Sequence, residues 1–224
     1  MNQGEPEHFE AKDLNPRSAG SSTGDLVHRR PGQGVSEEAR SLRRATPVLS
    51  ALRRLLRVYV GDGAYRKGAR GERIVGKRLT KLGEEWHVLH SIPIGDRGTD
   101  IDHLVIGPGG VFTLNAKNHL GHRVWVHTRA FRVDGVSKTE YLGASRSEAS
   151  KTSRRLSAAS GFPVLATGVI VVLADDLKIA GMPEQTPVIA RKQIAQWLSS
   201  QPVRLRQVEV ESIFAAARLP STWQ

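Results

Sequence analysis

Two predicted strands, joined by a Pro/Gly turn, carry acidic, amide and lysine side chains at their outer ends. The first strand opens with Asp100 and Asp102, and the second ends with Asn115 and Lys117. Side chains on a strand alternate between its two faces, so the two acids share one face, and the amide shares one with the lysine. If the strands pair around the turn, these four groups converge on one edge of a sheet. Such a set can hold a divalent cation beside a lysine, which is an arrangement suited to phosphodiester hydrolysis.

A purely structural interpretation of the same residues stays open at this stage. Asp100 and Asp102 can be ordinary strand-end acids, with Lys117 as their surface ion-pair partner. Spacing alone does not separate the two interpretations, because both need the same alternation along the strands.

The composition limits the class of protein. The chain has 224 residues, of which 39% are hydrophobic, enough for one domain of ordinary size plus tails. It has no cysteine, which excludes disulfides and cysteine-ligated zinc. The first residues do not resemble a signal peptide, and no apolar run approaches the roughly 18 residues of a membrane span. We therefore expect a cytoplasmic protein, and the many arginines and alanines suggest a GC-rich bacterial genome.

The net charge of +11 favours polyanionic partners. Nucleic acid, with DNA as the favoured form, is the first expectation, and an anionic membrane surface is the second. An ordinary basic protein with no such partner is the alternative.

Four segments follow one another along the chain. Residues 1–38 are rich in Gly, Ser, Pro and charge and are predicted to be disordered, whereas residues 40–60 are predicted to form a basic amphipathic helix. That helix can lie on DNA, on a membrane or on the main domain. The main domain is predicted at 64–182, followed by a helical extension at 183–224.

The main domain begins with a predicted helix whose apolar stripe contains an acid. The helix spans Ala64–Leu82, and Glu72 lies on the same face as Val75 and Leu79. A carboxylate there needs a partner, because burying it alone is costly. The other predicted elements are strands at 86–92, 100–106, 111–117 and 164–173, a hairpin at 123–133, a helix at 138–160, a short strand at 187–190 and helices at 191–199 and 208–218. This order predicts an α/β protein with a mixed sheet flanked by helices.

The motifs together resemble a known family. Gly71-Glu72 on a helix, then Asp100-Ile101-Asp102-His103 with Gly107, then Gly110-Val111-Phe112, then Asn115-Ala116-Lys117-Asn118 with Gly121, is similar to the nuclease-related domain (NERD). That family is placed in the PD-(D/E)xK restriction-endonuclease-like superfamily. The resemblance covers roughly residues 64–173 and implies a restriction-endonuclease-like α-β-β-β-α-β core.

The resemblance also implies roles for individual residues. Glu72 matches the acid of the first helix, Asp102 the motif aspartate and Lys117 the lysine of the E-x-K element. Asn115 departs from the pattern, because Glu or Gln usually stands there and an amide adds no negative charge. Asp100, Asp102 and Asn115 are then the expected ligands of Mg²⁺ or Mn²⁺. Lys117 is expected to act on the attacking water or on the charged transition state.

Basic residues on the two predicted helices can contact phosphates. The candidates are Arg70, Arg73, Lys77, Arg146, Lys151 and Arg154. Two functions from different classes follow: a metal-dependent nuclease, and a catalytically weakened nucleic-acid-binding module of the same fold. A membrane-surface protein that uses residues 40–60 is a third. Asn115 is the residue on which the choice between the nuclease and the binding module depends.

Overall fold

The computed structural model describes residues 24–34, 61–94 and 100–224. The basic helix predicted at 40–60 lies outside these ranges, as does most of the tail predicted to be disordered. For residues 24–34 that prediction is wrong, because Leu26 is only 3% exposed and its N–H bonds to the carbonyl oxygen of Arg218. A single apolar residue gives no periodic signal, so this docking was not predictable from pattern. Within the described ranges, no helix is long and apolar enough to cross a membrane.

The observed elements follow the predicted order. The helices in the described ranges are α1 (Gly61–Leu79), α2 (Glu140–Ser160), α3 (Ile194–Ser199) and α4 (Gln207–Ala217). The strands there are β1 (His87–Pro93), β2 (Asp100–Gly107), β3 (Gly110–Asn118), β4 (Arg123–His127), β5 (Ala130–Val133), β6 (Val136–Ser137), β7 (Ala166–Leu173), β8 (Asp176–Ile179) and β9 (Val188–Ala190). Short 3-10 helices lie at Leu26–His28 and Pro220–Trp223. The sequence did not predict β6 and β8.

The strands form two mixed sheets. The larger sheet has the order β1-β2-β3-β7-β9, in which β1, β2 and β3 are antiparallel neighbours and β7 and β9 run parallel to β3. The smaller sheet has the order β6-β5-β4-β8. The hairpin between β2 and β3 closes at the pair Gly107 and Gly110, and Gly110 has a φ of +127°, which favours glycine. The architecture confirms the predicted α/β class, with a mixed sheet flanked by helices.

Helices cover both faces of the larger sheet. On one face, Val75 of α1 packs in a cluster with Leu114 of β3. On the other face, Leu156 of α2 packs with Ile106 of β2 and with residues of α4. Each fully buried side chain of this kind contributes about 1.5–3 kcal/mol. The core therefore fixes α1 and α2 on opposite faces of the strands that carry the predicted site.

A glycine in β7 determines how closely α2 approaches the sheet. A Cβ at Gly168 would lie 2.5 Å from the carbonyl oxygen of Ser145 in α2. No side chain larger than hydrogen fits there without moving the helix. Residues one turn further along α2 are thereby held against β3.

Candidate active site

Strands β2 and β3 part at the predicted site. Their antiparallel pairing ends at His103 and Leu114, and the same register continued would place Asp102 opposite Asn115. Instead, Oδ2 of Asp102 accepts a hydrogen bond of 2.7 Å from the N–H of Ala116. We call the gap between Asp102 and Ala116 the fork. The side chain of an acid thus spans the place where the sheet opens.

The pairing of β2 with β1 is also interrupted at Asp102. The register between β1 and β2 omits Ser91 and Asp102. Ser91 has a φ of +50°, which is unusual for a residue with a side chain. Its hydroxyl donates to the carbonyl oxygen of Arg30 and accepts from the N–H of Gln33, each at 3.2 Å. Strained backbone of this kind collects at functional sites.

The environment of Asp102 opposes its negative charge. Burial raises the pKa of Asp102 to about 6, and the negative charge of Asp100 acts in the same direction. The hydrogen bond from Ala116 and the positive charge of Lys117 lower it. A cation placed in the fork would relieve this opposition.

Glu72 reaches the same region from α1. Its side chain is 5% exposed, and Oε2 accepts a hydrogen bond of 2.8 Å from the N–H of Gly32. Burial raises the pKa of Glu72 to about 8, and the negative charge of Asp102 also raises it. The acid predicted on the apolar stripe is therefore buried, and its partner is a backbone N–H.

Asp100 lies to one side of the fork, against residues 24–34, which we call the N-terminal strap. A Cβ at Gly34 would overlap the carboxylate of Asp100, so the strap lies directly on this acid. The negative charge of Asp100 raises the pKa of both Glu72 and Asp102. Asp100 thus belongs to the acidic group, with its side chain in contact with the strap.

Lys117 places its ammonium beside an aromatic ring. Nζ lies 4.6 Å from the centre of the Tyr141 ring in α2. A cation over an aromatic face is attracted to the ring's π electrons by about 0.5–2 kcal/mol. The positive charge of Lys117 also lowers the pKa of both Asp102 and Glu148. Lys117 therefore acts electrostatically on the acids of the fork while a ring from α2 holds its position.

A further carboxylate, from Glu148 of α2, completes the group. Its Oε2 accepts a hydrogen bond from Nδ2 of Asn115 at 3.4 Å, while its Oε1 is buried and makes no ordinary hydrogen bond to a described residue. Burial raises the pKa of Glu148 to about 8, and the negative charge of Asp102 adds to the effect. Asn115 and Lys117 oppose it.

Hydrophobic periodicity did not indicate Glu148. It lies on the face of α2 that also presents Ser145 and Thr152, both of which are buried. This part of the stripe is polar, so it resembles a solvated surface in sequence. The sequence does contain a spacing pattern. Glu148 follows Tyr141 by seven residues and Ser145 by three, so all three lie on one side of a helix.

The comparison with family models extends over this arrangement. The model described as "Nuclease-related domain" matches residues 67–173, just under half of the chain. Residues 67–173 are similar to this family. They run from α1 to the end of β7, and so include Glu72, the fork, Lys117 and Glu148. The family assignment agrees with the resemblance seen in the motifs.

One individual protein is similar to this chain over a short stretch. The chain is 39% identical over 66 residues to an uncharacterized protein of Bacillus anthracis, a match that covers 27% of this chain and 29% of that protein. The match thus spans less than a third of the relative's length. No solved structure matches the chain.

The fork carries oxygen atoms of the kind that bind a hard divalent cation. Asp102 and Glu148 carry carboxylates, and Asn115 carries an amide oxygen. On an extended strand, the N–H and C=O of one residue point to the same side, so the carbonyl of Ala116 also faces the fork. Among the described residues, no three His, Asp or Glu side chains converge closely enough to form a metal site by themselves. Mg²⁺ does not require three, because it is often bound by one or two carboxylates and several waters.

Positive charges lie near His119, the residue that follows β3. Burial, and then nearby positive charges that include Lys67, Lys117 and Lys138, lower the pKa of His119 to about 4. The basic residues predicted to contact phosphates are all exposed, on α1 and α2: Arg70, Arg73, Lys77, Arg146, Lys151 and Arg154. Because α1 and α2 cover opposite faces of the sheet, these residues flank the domain on two sides rather than form one patch.

Proposed function

We propose that this protein hydrolyses phosphodiester bonds in nucleic acid, with DNA as the favoured substrate, using Mg²⁺ or Mn²⁺ bound at the fork. The observation that carries the proposal is the fork itself. Where β2 and β3 part, Asp102 accepts a hydrogen bond from the N–H of Ala116, and Lys117 is near enough to lower the pKa of Asp102. These residues lie within the stretch that is similar to the nuclease-related domain. Oxygen ligands beside a lysine are the groups that such a reaction requires.

The metal would be held by Asp102, the amide oxygen of Asn115 and the carbonyl of Ala116. Asp100 is an additional candidate, although its carboxylate lies against the strap. When bound, the metal lowers the pKa of a water and neutralises charge on the scissile phosphate. The burial of Asp102 supports this assignment, because burial raises the pKa of that carboxyl and a bound cation would stabilise its charged form.

Lys117 would act on the water and the phosphate. Its ammonium can donate hydrogen bonds to the attacking water and to a phosphate oxygen as negative charge develops there. The ring of Tyr141 limits the directions in which the ammonium can point. An ammonium held in advance stabilises a transition state better than a mobile one.

Glu72 would position the site and would not bind the metal directly. One of its oxygens is already occupied by the N–H of Gly32, and the side chain is buried. The hydrogen bond holds the strap against the domain beside Asp102. The exposed cations of α1 and α2 would contact the phosphate backbone and give affinity that depends on salt and not on sequence.

A second function is favoured by one residue. Asn115 brings no negative charge to β3, whereas a glutamate at that position of the family pattern would bring one, and the missing charge weakens any metal site built on β3 alone. A nucleic-acid-binding module that has lost cleavage would retain the fold, the cations and the strap. The two proposals differ in whether a metal is needed.

The test is cleavage by the full-length chain. Plasmid, linear double-stranded DNA, single-stranded DNA and RNA are incubated with Mg²⁺, Mn²⁺ or EDTA. We expect metal-dependent cleavage that is lost in Asp102→Asn and Lys117→Ala but retained in Lys81→Ala, which removes an exposed lysine beyond the end of α1. Salt-sensitive binding without cleavage in either metal would reject the nuclease and favour the binding module.

A further inference from the structure

One acid near the fork belongs to α2 and not to β3. In β3, the residue two before Lys117 is Asn115, which is neutral. The amide of Asn115 does not stand alone, because its Nδ2 donates to Oε2 of Glu148. A carboxylate from α2 therefore lies where β3 lacks one.

One oxygen of Glu148 makes no hydrogen bond of good geometry to a described residue. Oε2 is engaged by Asn115, whereas Oε1 is buried, and the side chain of Thr113 is near enough to lower the pKa of Glu148. A buried carboxylate oxygen that has lost its water without gaining a well-formed hydrogen bond destabilises the folded chain. A proton or a cation can remove this destabilisation. Because Asp102 accepts from the N–H of Ala116 and Glu148 from the side chain of Asn115, the two carboxylates contact adjacent residues of β3, and one cation there would serve both acids.

The position of Glu148 is built into the packing. Gly168 of β7 allows the backbone of α2 at Ser145 to approach the sheet, and Glu148 follows Ser145 by about one turn. Gly168 is also the register partner of Thr113, two residues before Asn115 on β3. The close approach therefore occurs beside the part of β3 that carries the site.

We propose that Glu148 is a metal ligand, which supplies from α2 the carboxylate that β3 lacks, and that Asn115 positions it. This inference rests on the proposed function. Asn115 would hold Oε2 through its N–H and leave Oε1 free for Mg²⁺ or Mn²⁺. With Asp102, the fork would then have two carboxylates, which is the number that Mg²⁺ sites in proteins commonly use.

Metal binding without nucleic acid tests the assignment. Mn²⁺ is titrated calorimetrically into the full-length chain, and the Mn²⁺-induced rise in melting temperature is measured in parallel. We expect Glu148→Gln to weaken Mn²⁺ binding by about tenfold or more. Glu140→Gln removes an exposed acid from the same helix and should bind as wild type does. Should Glu148→Gln fail to fold in EDTA, Glu148→Asp, which shortens the reach by one methylene, replaces it.

A charge exchange provides the decisive comparison. In the double variant Asn115→Glu/Glu148→Gln, the carboxylate returns to β3, and we expect Mn²⁺ binding to recover relative to Glu148→Gln alone. A helix residue with a purely structural role would not be replaced in this way. Undiminished Mn²⁺ binding in Glu148→Gln, together with its loss in Asp102→Asn, would overturn this inference and leave the proposed function intact. Absence of Mn²⁺ binding in the wild-type chain would overturn both.

Discussion

Glu72 and Gly32 lie 40 residues apart in the chain, yet the carboxylate of the first accepts a hydrogen bond of 2.8 Å from the N–H of the second. Gly32 has a φ of +79°, and its Cα region lies against Ala69, one turn before Glu72 on α1. The same strap touches Asp100 through Gly34. The acids of the site and the N-terminal strap therefore stabilise one another.

Replacing Glu72 by Gln should change how stability depends on pH. Burial raises the pKa of Glu72 from 4.5 to about 8 in the folded chain. Between these values the folded state binds a proton that the unfolded state does not, so this residue's contribution to stability decreases as pH rises. Glu72→Gln cannot ionise, and it should gain stability relative to wild type across this window, by at most about 1.4 kcal/mol per pH unit.

The measurement is urea unfolding of wild type and Glu72→Gln in EDTA at several values between pH 4.5 and 8. Titrating groups that do not interact with Glu72 cancel in the difference between the two chains, whereas Asp102 and Asp100, which interact with it, contribute to that difference. Glu84→Gln, which removes an exposed carboxylate outside the site, is the control variant. A constant difference for Glu72→Gln would mean that Glu72 is ionised in the folded protein.

Gly32→Ala should detach the strap. A Cβ at Gly32 would lie 3.1 Å from Cβ of Ala69, and the left-handed φ itself costs about 1–2 kcal/mol for a residue with a side chain. The matched control is Gly24→Ala, because a Cβ at Gly24 has no atom within 4 Å. Hydrogen exchange of the Leu26 N–H, which bonds to Arg218, reports docking, and we expect faster exchange in Gly32→Ala alone. Equal protection in both variants would contradict this prediction.

Periodicity predicted the large elements because their stabilising contacts repeat at regular spacing. The stripe of α1 with Glu72, and the alternation of β2 and β3, follow from rules of local geometry. Glu148 did not emerge, since its neighbours on α2, such as Ser145, are polar and its role depends on a contact with β3. The docked strap was missed for a related reason: the burial of Leu26 is a tertiary contact without a local pattern.

Gly168→Ala should destabilise the domain and move α2. The new Cβ would lie 2.5 Å from the carbonyl oxygen of Ser145, and overpacking of this kind costs about 1–3 kcal/mol. Gly143 lies in α2, and a Cβ there would contact only the end of the Arg146 side chain, at 4.0 Å. Gly143→Ala should therefore stabilise α2 by about 0.5–1 kcal/mol. Thermal unfolding of both variants checks the opposite signs. A Gly168→Ala variant as stable as wild type would show that α2 can move without cost.

The two sets of exposed cations should both contribute to binding of nucleic acid. The negative charge of Asp102 raises the pKa of both Glu72 on α1 and Glu148 on α2. Since the two helices cover opposite faces of the sheet, they flank the fork on two sides. A strand seated at the fork can then meet cations on both sides. The α1 set is Arg70, Arg73 and Lys77, and the α2 set is Arg146, Lys151 and Arg154.

Salt dependence distinguishes contact from mere proximity. Each cation that contacts a phosphate contributes about 1 to the slope of log K against log salt concentration. Changing either set to alanine should therefore reduce the slope, whereas the exposed pair Lys192→Ala/Arg204→Ala, outside residues 67–173, should leave it unchanged. The measurement is fluorescence anisotropy with a labelled DNA, in EDTA, at a series of salt concentrations. A slope altered by one set only would place the nucleic acid on a single face of the domain, and the two-sided arrangement would be wrong.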